Sequence, residues 1–91
     1  MKSLGEPKII ELVLDVLKPY SPSLPTLATF IGEYTGIERV EVILIEKDVS
    51  TESLEVILQG HNISYDGIRE HLEKQGAVIH SIDKVVVESE K

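Results

Sequence analysis

Residues 38–47, Glu-Arg-Val-Glu-Val-Ile-Leu-Ile-Glu-Lys, and residues 52–60, Glu-Ser-Leu-Glu-Val-Ile-Leu-Gln-Gly, decide the fold. Both contain Glu-Val-Ile-Leu, at Glu41–Leu44 and at Glu55–Leu58. Four residues are too few to show homology, so the repeat reads as one strand pattern used twice. Side chains along a strand alternate between the two faces of the sheet. The spacing puts Val40, Val42 and Leu44 on a core face, opposite Leu58, Val56 and Leu54. Residues that face each other must then sum to an even number, which predicts an odd-length loop centred near Val49. On the other face Glu41 falls opposite Ile57, and Ile43 opposite Glu55. Apolar residues therefore occur on both faces of this hairpin, and both faces call for cover.

The flanking segments extend the pattern. Lys8–Lys18 reads as a strand with Ile10, Leu12, Leu14 and Val16 on one face, and Ile9, Glu11, Val13, Asp15 and Leu17 on the other. Pro19 ends it, and a proline- and serine-rich loop follows. Ser23 is the N-cap expected for a helix with Pro25 in its first turn, Leu24, Leu27, Ala28 and Ile31 on its apolar face and Gly36 at its end. Ser64 caps a second helix that ends at Gly76, with Tyr65, Ile68 and Leu72 turned inward. Ala77–Glu88 reads as a last strand whose phase breaks. Val78 and Ile82 share one face, while Val85 and Val87 fall on the opposite one. A bulge near Asp83, or an outer half that serves another subunit, accounts for the break equally well.

The order strand, helix, strand, strand, helix, strand predicts one ferredoxin-like βαββαβ domain over residues 1–91. Right-handed crossovers put both helices on one face of a four-stranded antiparallel sheet, with the first and third strands central. The odd-numbered face of the first strand then stays bare. It carries Ile9, Val13, Leu17, Ile43, Ile45 and Ile57, joined by Ile79 and Val85, with Glu41 and Glu55 among them. Each buried aliphatic side chain is worth about 1.5–3 kcal/mol. Six to eight left in water forgo on the order of 10 kcal/mol, comparable to a small domain's whole stability. The bare face, or the edge strands, is therefore expected to meet further copies of the chain.

Composition limits the chemistry. A formal charge of −7 speaks against a sequence-independent grip on nucleic acid and against an anionic membrane surface. There is no cysteine, hence no disulfide and no thiolate zinc site. Met1–Lys8 lacks the apolar core of a signal peptide, and no apolar run is long enough to span a membrane, so the expected place is the cytoplasm. His61, His71 and His80 lack ligand spacing, and His71 is expected on the solvated side of its helix. No nucleophile with a base and an orienting acid stands out, so the expectation is a protein that is not an enzyme. Six glycines read as punctuation, not as a phosphate loop.

Two constellations remain. Asp15 and Asp83 lie on strands that should be neighbours, with Ser81 and Glu11 close by, and such oxygens suit calcium or magnesium. A polar cluster that pairs with a neighbour's lysines accounts for the same residues. The loop Lys18–Ser23, with Lys18, Tyr20, Ser21 and Ser23 before a helix N-terminus, suits a small anionic ligand; ordinary capping accounts for it too.

The stretch Leu14-Asp-Val-Leu-Lys-Pro19 and the run Gly76-Ala-Val-Ile-His-Ser-Ile-Asp-Lys-Val85, at this separation, resemble an archaeal family known as domain of unknown function two-hundred-eleven. The resemblance covers nearly the whole chain. It implies a ferredoxin-like fold and a homo-oligomer in an archaeal cytoplasm, with a closed ring as one form, and it implies no activity. The family commonly has histidine after Lys-Pro. Here Tyr20 stands there, so no histidine role carries over.

Overall fold

The computed structural model describes residues 5–89. Strand β1 (Lys8–Pro19) leads into helix α1 (Leu24–Gly32); strands β2 (Ile37–Lys47) and β3 (Thr51–Gly60) form the hairpin; helix α2 (Tyr65–Glu73) precedes strand β4 (Val78–Glu88). The four strands are antiparallel in the order β2-β3-β1-β4, which makes the fold a ferredoxin-like α+β arrangement with β1 and β3 central.

Both helices start where the sequence supplies an acceptor for their free N–H groups. The Ser23 hydroxyl accepts from the Thr26 N–H and the Ser64 hydroxyl from the Gly67 N–H. Leu27, Ile31, Ile68 and Leu72 point from the helices onto Leu12, Leu14, Val16, Leu54, Val56 and Leu58 of the central strands, and all of these are fully buried or nearly so. Helix α1 stops at Gly32, with Glu33 as its C-cap. Gly36, expected at the helix end, instead takes a φ of 90° at the entry to β2, where its carbonyl accepts from the His61 N–H.

The hairpin has the expected pairing, Val40 with Leu58, Glu41 with Ile57, Val42 with Val56, Ile43 with Glu55 and Leu44 with Leu54. The loop does not. A register shift between Leu44 and Glu46 leaves Ile45 as an extra residue, so Lys47 pairs with Glu52 and the turn runs from Asp48 to Thr51. Ile45, expected on the bare face, therefore sits in a bulge and is exposed.

Strand β4 is irregular in the way that its broken phase suggests. Lys84 pairs with Val13 and Ile82 with Leu14, which leaves Asp83 as an extra residue; Ser81 pairs with Asp15 and Ile79 with Val16, which leaves His80 as another. Each extra residue shifts the following side chains to the other face. Ile79 and Val85, expected on the bare face, hence share rows with Val16 and Leu12 on the helix side, and Ile79 packs against the core. Ile9 is corrected for the same reason. A shift between Ile9 and Glu11 turns it toward the core, where it packs at the margin.

The molecule is long and narrow, 56 × 22 × 18 Å, with a radius of gyration of 14.2 Å. A compact chain of this length has about 12 Å. Helix length explains the difference. Nine residues of helix reach about 14 Å, whereas a strand of 12 residues such as β1 reaches about 40 Å. The helices cover the middle of the sheet and leave its ends as a single layer.

Candidate functional site

Three regions bear on function: the junction below α1, the open face of the sheet, and its two edges. At the junction, β1 and β3 continue their core rows into charge. Lys18 pairs with Glu52 in the register that sets Val16 opposite Leu54. The Lys18 side chain is 0% exposed, its ammonium 2.7 Å from Glu52 Oε1. It also donates to the carbonyls of Pro19 (2.8 Å), Tyr20 (3.0 Å) and Pro22 (2.6 Å). A buried charge is tolerable only when paired and fully hydrogen-bonded, and this one is both. Lys47 approaches the other Glu52 oxygen at 3.9 Å and lies 4.9 Å over the Tyr20 ring. The Tyr20 hydroxyl donates to the Asp48 carbonyl and ties the loop to the hairpin turn.

This geometry corrects the reading of Lys18 as an anion ligand: its ammonium is the centre of an oxygen cage and faces no solvent. Tyr20 is exposed but engaged at the turn, Ser23 is occupied as the α1 cap, and Ser21 is exposed. Glu52, Lys47 and Asp48 complete the junction and escaped the sequence reading.

On the open face the register sets four rows across the sheet, in the order β2, β3, β1, β4. They are Arg39-Gln59-Glu11-Val86, Glu41-Ile57-Val13-Lys84, Ile43-Glu55-Asp15-Ser81 and Glu46-Ser53-Leu17-Val78. The patch is less apolar than expected. Val13 is only 9% exposed, and the Lys84–Glu11 ion pair, 3.3 Å, runs diagonally past it. Leu17 and Ile43 remain exposed, and Ile57 is half-buried. Asp15 and Glu55 stand directly opposite each other with no cation paired to either among the described residues. Asp83, in its bulge, accepts from the Ser81 hydroxyl at 2.8 Å. Among the described residues no group of three or more His, Asp or Glu is placed to hold a metal ion.

The exposed aliphatics gather at the edges. Ile43, Leu44, Ile45 and Val49 follow β2 and its turn; Val78, Ile82, Val85 and Val87 follow β4. Leu44, Ile82 and Val85 lie on the helix side in rows whose central residues Leu54, Leu14 and Leu12 are buried, and Val87 pairs with Ile9; they are exposed because they stand on the lateral edge strands. His71, expected in solvent, is half-buried between the helices. It stacks on Phe30 with ring centroids 3.8 Å apart, and its Nε2 lies 2.7 Å from the Phe30 carbonyl oxygen. His61 and His80 are exposed. No helix among the described residues is long and apolar enough to cross a membrane.

A ferredoxin-like module with a buried Lys–Glu junction and apolar sheet edges is the class that these features define. Residues 10–90 match the family model of domain of unknown function 211, described as "Uncharacterized ArCR". The chain belongs to this family. It is similar to the uncharacterised protein MJ0319 of Methanocaldococcus jannaschii, 38% identical over 78 residues, which make up 86% of this chain and 80% of the relative.

Proposed function

We propose that this chain is a non-catalytic module that works as a homo-oligomer and takes a small ligand or a partner between its subunits, in the cytoplasm. The observation that carries this reading is the sorting of exposed aliphatics onto the two sheet edges and the hairpin turn. Scattered exposed aliphatics are ordinary. Rows of them beside unpaired strand edges are not, because a bare edge is a template for another chain. Two unlike edges also allow head-to-tail contacts, which close into a ring when the rotation permits.

Light scattering and sedimentation velocity test the premise. A multimer at micromolar concentration supports it, with Ile43→Glu reducing its size; a monomer at that concentration sinks it.

The like-charged pair Asp15 and Glu55, with Asp83 one row away, favours a second reading: a divalent cation such as calcium or magnesium held by carboxylates of adjoining subunits. Thermal denaturation with calcium, with magnesium and with a chelator separates the two readings. A calcium stabilisation that survives Asp15→Asn combined with Asp83→Asn would refute these ligands.

A further inference from the structure

At the end of the sheet away from the hairpin turn, the two central strands part. Pairing of β1 with β3 begins only at Glu11 and Gln59, and Ile10 is an extra residue in the pairing of β1 with β4. Beyond β3 the chain turns toward α2. It is pinned there by the His61 N–H, which donates to the Gly36 carbonyl at 2.8 Å, and by the Ile63 N–H, which donates to the Ile9 carbonyl at 2.9 Å. Between these segments lies a cavity of about 430 Å³, lined by Glu6, Lys8, Ile10, His61, Glu88 and Ser89. Small-molecule sites occupy roughly 300–1,000 Å³, so the cavity suits a compact ligand.

Its charged groups are uncommitted. Lys8 and Glu88 face each other in the register of β1 with β4, yet no ion pair joins them. Among the described residues, the side chains of Glu6, Lys8, His61 and Glu88 have neither an ion-pair nor a hydrogen-bond partner. Lys8 is half-buried, whereas Glu6, His61 and Glu88 are exposed. An ammonium drawn partly out of water gains from an anionic partner.

The mixture of signs selects the ligand. A simple anion that reached Lys8 would also meet the carboxylates of Glu6 and Glu88. A simple cation drawn to those carboxylates would meet the ammonium of Lys8. A zwitterion satisfies both. We propose that this cavity binds a free aliphatic α-amino acid, with its carboxylate on Lys8, its ammonium between Glu6 and Glu88, and its side chain against Ile10. The His61 imidazole, able to donate or accept, takes a further hydrogen bond from or to the ligand. The site lies within one chain and does not rest on the self-association proposed above.

Titration calorimetry of the full chain with L-leucine and with L-valine tests this. Binding is expected, and weaker by roughly tenfold for 4-methylpentanoate, which lacks the ammonium, and for 3-methylbutylamine, which lacks the carboxylate. Lys8→Met and Glu88→Gln are each expected to weaken L-leucine by roughly tenfold, with the far-ultraviolet circular dichroism unchanged. In nuclear magnetic resonance spectra L-leucine should shift the amides of Lys8, Ile10 and His61, and Lys8→Met should abolish those shifts. No binding of either amino acid at about 10 mM, enough to fill a millimolar site, overturns the proposal. So does equal binding of either singly charged analogue, or L-leucine binding that both variants leave intact. Amide shifts confined to other parts of the sheet also overturn this site, but leave a ligand between subunits standing.

Discussion

The ammonium of Lys18 lies 2.7 Å from Glu52 Oε1 at the end of the core rows, wholly shielded from solvent, and three backbone carbonyls of the β1–α1 loop complete its shell. One side chain thus sets both the path of the loop and the base of the hairpin.

Removal of that charge should be expensive. Lys18→Met leaves a largely buried carboxylate and three carbonyls without their donor, and is expected to cost about 3–5 kcal/mol. Denaturant unfolding checks the figure. Lys18→Met combined with Glu52→Leu is expected to regain only part of the loss, since the carbonyls of Pro19, Tyr20 and Pro22 still lack a partner. Full recovery in the double variant would mean that the ion pair alone matters.

Gly67 in α2 should resist a change that normally helps a helix. Alanine gains about 1 kcal/mol over glycine in a helix interior. A Cβ here would overlap the Tyr34 hydroxyl, which packs against the glycine from the turn after α1. Gly67→Ala is therefore expected to destabilise wild type and to stabilise a Tyr34→Ala background by about 1 kcal/mol. A double-mutant cycle measured by thermal unfolding reads this sign change.

Gly60 is held by backbone, not by a side chain. Its missing Cβ faces the Gly36 carbonyl oxygen, with Ile37 Cα also within contact distance. Gly60→Ala must push the start of β2 away from β3, and a loss of about 2 kcal/mol or more is expected in equilibrium unfolding. The His61 N–H, which donates to Gly36 at 2.8 Å, should lose protection from hydrogen exchange in that variant.

Asp15 and Glu55 repel across the open face. Replacing one with the opposite charge, Glu55→Lys, is expected to raise stability by about 0.5–1 kcal/mol at low salt, with the gain shrinking as salt rises. If the carboxylates serve a cation, calcium raises the melting temperature of wild type and leaves that of Glu55→Lys unchanged.

Much of this was legible in the chain, and the exceptions have physical causes. Period-two alternation in both copies of Glu-Val-Ile-Leu settled the pairing of β2 with β3, because a slip by one residue would expose every core side chain. The phase break after Ile82 fitted a bulge at Asp83 or an outer half serving another subunit equally well, and only the register of β4 against β1 shows the bulge. Ile9 was not legible. Ile10 beside it is also apolar, so an extra residue there leaves no break in the pattern. The slip at Ile45 is hidden by the same run of aliphatics. The Lys18–Glu52 junction did leave a signal, in that Lys18 continues the phase of Leu12, Leu14 and Val16, while Glu52 begins that of Leu54, Val56 and Leu58. Their charge argued for the surface, and only the pairing of β1 with β3 brings the two together. His71 reads as polar for the same reason. Nothing along the chain reveals that Phe30 offers it a ring and a carbonyl.

The short helices leave a sheet that is two layers thick at its middle and one at its ends. Strand ends without a second layer open by local fluctuation, well below the free energy of global unfolding. Their amides should therefore exchange in a gradient along the strand axis, slowest near Leu14 and Val56 and fastest toward Val49 and Val87. The cooperative unit is then the two-layered middle of the sheet, and mild denaturant would loosen the tips of the strands long before it melted the centre.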